Sequence, residues 1–159
     1  MPALKKTFIK LLATSFGIGY IPFAGGTFAS VFACLIYWFL APHNPYLYLL
    51  ILLAGAVFSL PVLSEAEKIF GRKDDRRIVL DEVIGFWFAV AFIPRGPGGP
   101  AGLKYLMMGF VLFRIFDIFK PFPIRAVQKY TGGIGVLADD VLAGILSGII
   151  LIVLRSFLT

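Results

Sequence analysis

The stretch ADDVLAGILSGIILIVLRSFL, residues 138–158, joins a pair of aspartates to an apolar run of membrane-spanning length. A helix needs about 20 mainly apolar residues to cross the hydrocarbon core of a bilayer. The rest of the chain is similar, since 59% of its 159 residues are hydrophobic and its mean hydropathy is +0.91. Soluble domains are usually about 45–50% apolar. The sequence therefore predicts one all-α, integral membrane domain over residues 1–159.

Five apolar runs are candidates for spanning helices. They cover Thr27–Ala41, Tyr46–Leu63, Val79–Ile93, Leu103–Phe119 and Asp140–Leu158. Several are shorter than a bilayer requires, so they must extend into flanking residues or the bilayer must thin around them. A sixth run, Thr7–Tyr20, is interrupted by Lys10 and followed by glycines, which fits an interfacial or re-entrant segment better than a full span. The expected architecture is a polytopic helical bundle.

The distribution of lysine and arginine predicts the orientation of this bundle. With the N-terminus inside, the inner segments 1–26, 64–78 and 120–139 carry 11 basic residues. The outer side carries 3, namely Arg95, Lys104 and Arg155. Basic residues favour the cytoplasmic side, so the inner segments are expected to face the cytoplasm. Because the positive charge is confined to short loops between apolar runs, we expect contact with membrane lipids and no binding of nucleic acid.

Acidic residues lie at the predicted inner ends of these runs. They are Asp81, Glu82, Asp117, Asp139 and Asp140. An ionised group beside hydrocarbon costs about several kcal/mol unless it is paired, hydrated or bound to an ion. Each acidic pair alone could be a helix cap, and Asp117 alone could be the partner of Arg114. Their gathering at one membrane face favours a Mg²⁺ site in which all five residues are candidate metal ligands and catalytic groups.

Cations beside the acidic residues predict phosphate binding. In FRIFDIFKP, residues 113–121, Arg114, Asp117 and Lys120 recur at intervals of three and share one helix face. Gly25-Gly26-Thr27 and the glycines at 132, 133 and 135 form bends on the same side. Their backbone N–H groups could take a phosphate oxygen, although turn flexibility is the alternative. The candidate phosphate-binding residues are Arg114, Lys120 and Thr27.

The residues that the chain lacks narrow the chemistry. The sole histidine, His43, lies in the opposite loop, and the sole cysteine, Cys34, lies inside an apolar run. Hydrolysis by a metal-activated water remains, with a carboxylate as base and Arg and Lys stabilising the phosphoryl oxygens. An aspartyl nucleophile also stays open. The rival functions are a small cation transporter or channel subunit and a phosphatidyl-group transferase, whose usual aspartate spacing is not visible.

Four motifs, in chain order, resemble the phosphatidylglycerophosphatase A family. They are GGTFAS (25–30), VLDEVIGFW (79–87), FRIFDIFKPFPI (113–124) and GGIGVLADDVLAG (132–144). The resemblance implies a Mg²⁺-dependent bacterial lipid phosphatase that converts phosphatidylglycerophosphate to phosphatidylglycerol at the cytoplasmic face of the inner membrane. By matching position, it implies roles for Thr27, Asp81, Glu82, Arg114, Asp117, Lys120, Asp139 and Asp140. Gly25 and Ala29 depart from the family's usual Pro and Gly, which concerns the shape of the first loop more than its chemistry.

Overall fold

The computed structural model describes residues 1–93 and 100–158, and these form seven α-helices, one 3-10 turn and no strand. The helices are α1 (Ala3–Ala13), α2 (Gly25–Leu40), α3 (Pro45–Phe70), α4 (Leu80–Ala89), α5 (Pro100–Phe119), α6 (Ile124–Val127) and α7 (Gly133–Leu158), and the turn covers Ile18–Tyr20. The prediction of an all-α fold is confirmed. Arg95, one of the basic residues predicted outside, lies beyond the described residues.

Only α3 and α7 among the described helices are long and apolar enough to cross a membrane. Each has 26 residues, which is about 39 Å at 1.5 Å per residue. Only 28% of the apolar window of each is buried in the fold, whereas the core helix of a soluble protein would be mostly buried. α2 and α4 have 16 and 10 residues. The prediction of five spanning helices is therefore not confirmed, but the exposed apolar surface supports a membrane location.

The boundaries of α3 follow from residues at its two ends. Asn44 Oδ1 accepts hydrogen bonds from the backbone N–H groups of Tyr46 and Leu47, at 2.9 and 3.2 Å. Gly71 ends the helix with a φ of 72°, a conformation that glycine adopts at little cost. The sequence predicted an end at Leu63, where the apolar run stops. The helix instead continues as an amphipathic extension in which Ala66 is buried and Lys68 is exposed.

α1 packs beside the C-terminal end of α3. Its residues Ile9 and Ala13 are buried, whereas Leu4 and Phe8 are exposed. The carbonyl oxygen of Ala13 accepts a hydrogen bond of 2.9 Å from the backbone N–H of Val79. With 11 residues, this helix is too short to span a bilayer. Its exposed apolar side chains and its lysines suit the interfacial position expected from the sequence.

The backbones of α4 and α7 approach each other through glycines. A Cβ atom added to Gly85 would lie 2.6 Å from the carbonyl oxygen of Asp140, and one added to Gly144 would overlap the carbonyl oxygen of Gly85. Small residues allow this close packing of helices in membranes. On the other side of α4, the buried rings of Phe86 and Phe113 meet edge to face, 6.0 Å apart. The packing holds the acidic ends of α4 and α7 side by side and joins them to α5.

Candidate active site

The ends of α2, α4, α5 and α7 meet in one region of the fold. A Cβ atom added to Gly26, in the first turn of α2, would overlap Glu82 Oε1 on α4 and lie 3.4 Å from Arg114 Nη1 on α5. Lys120, which follows α5, pairs with Asp139 on α7. A residue with a side chain at position 26 would therefore displace the charged groups. The four motifs singled out in the sequence converge here.

Three carboxylates, which we call the acidic triad, lie where α4 meets α7. Asp81, Glu82 and Asp140 each offer an oxygen, and these atoms lie within 4.8 Å of one another. Asp81 is 5% exposed and Asp140 is 3% exposed. Within the described part of the chain, Asp81 Oδ1 and Glu82 Oε2 are buried without a hydrogen-bond partner. Three convergent carboxylates, two of which have an oxygen without a donor, fit a hard divalent cation such as Mg²⁺.

The other two predicted carboxylates are paired with cations. Asp117 Oδ2 lies 2.6 Å from Arg114 Nη1, and Asp117 Oδ1 lies 3.7 Å from Lys120 Nζ. Asp139 Oδ2 accepts hydrogen bonds from Lys120 Nζ and, at 3.0 Å, from Gln128 Nε2. These pairings balance the negative charge of both aspartates and fix the positions of the two cations. Asp117 and Asp139 are thus ion-paired, whereas the acidic triad forms no ion pair among the described residues, although Asp140 lies close enough to attract Lys120.

The backbone of Lys120 directs its side chain toward these aspartates. Its φ of 43° is unusual for a residue other than glycine, and such a conformation costs about 1–3 kcal/mol. Burial disfavours the ammonium ion, but attraction to Asp140, Asp139 and Asp117 outweighs this effect and raises the pKa of Lys120 above its ordinary value. These attractions favour the positively charged form of Lys120 beside the acidic triad.

Arg114 reaches this region through Nη1 and leaves a second side-chain donor without an acceptor among the described residues. Its Nη1 donates to Asp117 and lies 3.5 Å from Ser30 Oγ. Its Nε is buried without an acceptor among the described residues. Three of the four buried side-chain atoms that lack a partner in the described chain therefore belong to this site. The unpaired carboxylate oxygens suit a divalent cation. The unpaired N–H of the Arg114 guanidinium suits an anion such as phosphate.

Three residues that the sequence analysis did not select also belong to this region. They are Ser30, Gln128 and Asp74. The pKa of Asp74 lies above its ordinary value, first because surrounding atoms desolvate the carboxylate and second because Asp139 repels it. Ser30 carried a usable signal, since it lies one helical turn after Gly26 in the first motif. Gln128 and Asp74 lie in loop sequences with no distinctive pattern.

Thr27 is the predicted residue with the least support from the geometry. It lies in the first turn of α2, next to Gly26, and its side chain is half-buried. No described contact joins its hydroxyl to the acidic triad or to Arg114. A role for Thr27 in phosphate binding therefore stays a prediction.

The chain is similar to lipid phosphatases over almost its whole length. A family model described as Phosphatidylglycerophosphatase A matches residues 11–155. Phosphatidylglycerophosphatase A of Escherichia coli is 36% identical over 143 residues, which cover 89% of this chain and 80% of the relative. The enzyme of the same name from Haemophilus influenzae is 31% identical over 152 residues, 94% of this chain and 90% of the relative.

A third relative carries a different name. A protein of Bacteroides thetaiotaomicron, provisionally named a phosphatidylinositol-3-phosphatase, is 36% identical over 152 residues, 91% of this chain and 92% of the relative. No solved structure matches the chain. The names of all three relatives describe phosphatases that act on a phospholipid, but they name different head groups.

Proposed function

The chain belongs to the phosphatidylglycerophosphatase A family, and we propose that the acidic triad and its neighbouring cations form its active site. The protein is a phosphatase that hydrolyses phosphatidylglycerophosphate to phosphatidylglycerol and phosphate. The observation that carries the assignment of the site is the set of buried, unpartnered atoms: Asp81 Oδ1, Glu82 Oε2 and Arg114 Nε. Two are acceptors suited to a metal ion, and one is a donor suited to phosphate.

Within this site we assign the metal to the acidic triad alone. Asp81, Glu82 and Asp140 would hold Mg²⁺, which supplies Lewis-acid polarisation of the phosphate and of the attacking water. Asp117 and Asp139 would instead hold Arg114 and Lys120 in place through the ion pairs described above. This division is narrower than the sequence prediction, which gave all five carboxylates both roles.

The cations bind the phosphate and oppose its developing charge. Arg114 donates from Nε to a phosphoryl oxygen while its Nη1 stays on Asp117. Lys120 adds a second positive charge, and both stabilise negative charge that spreads over the phosphoryl oxygens during the reaction. A carboxylate of the site takes the proton of the attacking water. The water oxygen forms a bond to phosphorus, the bond between phosphorus and the glycerol oxygen breaks, and this oxygen takes up the proton that the carboxylate received from the water.

The enzyme is proposed to cross the bacterial inner membrane several times, with this site at the cytoplasmic face. The loop 71–79, which lies between α3 and α4 and leads directly into Asp81, carries four basic residues. Its Lys73 Nζ donates a hydrogen bond of 2.9 Å to the carbonyl oxygen of Gln128, next to the site. A basic surface around the active site fits the positive-inside rule and would attract an anionic lipid substrate. No finding favours the alternative of a cation transporter or channel subunit.

The proposal is tested by phosphate release from purified protein in mixed micelles. Phosphatidylglycerophosphate, phosphatidylinositol-3-phosphate and phosphatidic acid are compared, each with Mg²⁺ and after chelation of divalent ions. We expect the first lipid to have the highest kcat/KM and all turnover to stop after chelation. Preference for the inositol lipid would overturn the assignment of the substrate. Full activity after chelation would overturn the assignment of the metal.

A further inference from the structure

A groove lies between α2 and α5 on the apolar surface of the protein. Its volume is about 430 Å³. Leu106, which is 2% exposed, forms its floor together with the half-buried Cys34. Leu35 and Met107, exposed at 53% and 52%, form its two rims. The lining contains no charged residue, and its only polar groups are the thiol of Cys34 and the indole N–H of Trp38, so the groove suits a hydrocarbon chain.

One end of this groove reaches the proposed active site. Val31 lines the groove and follows Ser30, whose Oγ lies 3.5 Å from Arg114 Nη1. On α5, Phe110 lines the groove one helical turn before Arg114. A lipid whose phosphate is bound by Arg114 therefore has its glycerol backbone beside the mouth of the groove.

The length of the groove fits the depth of one leaflet. Along α2 it extends from Val31 to Phe39, which is about 12 Å at 1.5 Å per residue. One leaflet supplies half of a hydrocarbon core about 30 Å thick. A chain that starts at the level of the active site and follows the groove would thus stay within its own leaflet.

We propose that this groove binds one acyl chain of the phospholipid substrate, an inference that rests on the proposed function. The chain leaves one apolar environment for another, so transfer from water contributes little. The gain comes from close van der Waals packing and from holding the phosphate in line with Arg114 and the acidic triad. The groove therefore favours a membrane-resident lipid over a water-soluble phosphate ester with the same head group.

The test narrows the groove without touching the charged residues. Leu35→Trp fills it from the rim, and Cys34→Trp fills it from the floor. Both are assayed with long-chain phosphatidylglycerophosphate and with its water-soluble dibutyryl form. We expect kcat/KM for the long-chain lipid to fall about tenfold, because the excluded chain loses its packing in the groove and no longer holds the phosphate in line with Arg114. The kinetics with the short-chain form should stay at the wild-type values.

Leu53→Trp is the matched control. Leu53 lies on α3, is 48% exposed and does not line the groove, so this variant should behave as wild type with both substrates. If the groove variants keep wild-type kinetics with both lipids, or lose activity equally with both, the acyl-chain site is wrong.

Photocrosslinking gives a readout that is independent of turnover. A phospholipid with a diazirine on its acyl chain should label α2 near Cys34 and α5 near Met107, and labelling should fall in Leu35→Trp. Labelling spread evenly over α3 and α7 would overturn the inference. If wild-type protein releases no phosphate from either lipid, the proposed function has failed, and the crosslinking pattern alone then decides whether the groove holds a chain.

Discussion

The carboxylates of the acidic triad repel one another. A substitution that removes one of them should therefore stabilise the metal-free protein while it lowers turnover. Asp81→Asn removes one of three crowded carboxyl groups, so the metal-free protein should gain stability on the order of 1 kcal/mol. Turnover should fall about 100-fold or more, because the proposed metal site loses a ligand. Thermal unfolding with and without Mg²⁺ and phosphate release measure the two effects. Stabilisation by Mg²⁺ should also weaken in the variant.

Asp117→Asn is the contrasting control at a paired carboxylate. Its loss leaves the half-buried Arg114 without its partner at 2.6 Å, so the metal-free protein should lose stability. Stabilisation by Mg²⁺ should remain. If both variants shift the metal-free protein in the same direction, the division of the site into an unpaired triad and paired aspartates is wrong.

Adjacent aspartates in the loop before α4 should respond to pH in opposite ways. Two charge-assisted hydrogen bonds from the Arg77 side chain lower the pKa of Asp75. The contribution of the Asp75 carboxylate to the stability of the fold is thus present above the ordinary pKa of aspartate. It is lost as pH falls through the lowered pKa. The pKa of Asp74 is raised by desolvation and by Asp139, so its contribution declines as pH rises from the ordinary value through the raised one.

Substitution of each aspartate tests this difference. At neutral pH, Asp75→Asn should lower the melting temperature and Asp74→Asn should raise it. Asparagine also tolerates the φ of 49° at position 74. Thermal unfolding measured from pH 2 to pH 8 gives the comparison, since the loss for Asp75 occurs below its ordinary pKa. A melting temperature that falls in both variants would show that the surroundings of Asp74 favour its charged form.

Sequence patterns predicted the members of the site better than their pairing. Asp81, Arg114 and Asp140 could be selected because each is a charged residue at the edge of an apolar run. Placing a charge near hydrocarbon costs free energy, so such residues usually have a function. The pairing of Asp139 with Lys120 depends on the turn after α5. Its pairing with Gln128 depends on the position of the loop that follows α6. These are tertiary features, so no spacing rule along the chain could have separated the triad from the paired aspartates.

At the scale of the helices, the glycine contact between α4 and α7 controls the geometry of the acidic triad. Gly144→Ala would place a Cβ against the carbonyl oxygen of Gly85 and push α4 away. We expect a loss of about 1–3 kcal/mol in stability and weaker stabilisation by Mg²⁺, because Asp140 separates from the two acidic residues of α4. Thermal unfolding over a Mg²⁺ titration measures both.

Gly55→Ala is the matched control for this prediction. Gly55 lies inside α3, and the nearest atom to an added Cβ is Ile84 Cδ1 at 3.6 Å, an ordinary contact. Alanine favours helices more than glycine does, so this variant should be neutral or slightly more stable. Equal behaviour of the two alanine variants would mean that the close approach does not hold the triad together.

The apolar content of the sequence predicted that these helices exist. It did not predict where they end. Hydropathy cannot show that α3 runs seven residues beyond Leu63, since its last turns are amphipathic and are supported by ion pairing such as Glu65 with Lys68 at 2.6 Å. Nor could it show that α4 ends after Ala89, since the apolar run continues to Ile93. Tertiary packing decides where such runs stop being helical.

At the scale of the whole molecule, the distribution of charge predicts which face of the membrane the site occupies. The loop with Arg72 lies at the end of α3 that adjoins the site, and His43 lies before the other end of this 26-residue helix. If α3 spans the bilayer, these residues are on opposite sides. The positive-inside rule then places Arg72 and the site in the cytoplasm.

Cysteine labelling tests this orientation. In a Cys34→Ala background, His43→Cys and Arg72→Cys introduce single thiols at exposed positions. In intact cells with a permeable outer envelope, a membrane-impermeant maleimide should label position 43, whereas position 72 should react only after the inner membrane is opened. Labelling of position 72 in intact cells would place the active site outside, where a cytoplasmic lipid precursor could not reach it. Labelling of both positions would mean that α3 lies along one face, which its 26-residue apolar length makes costly because one side would meet water.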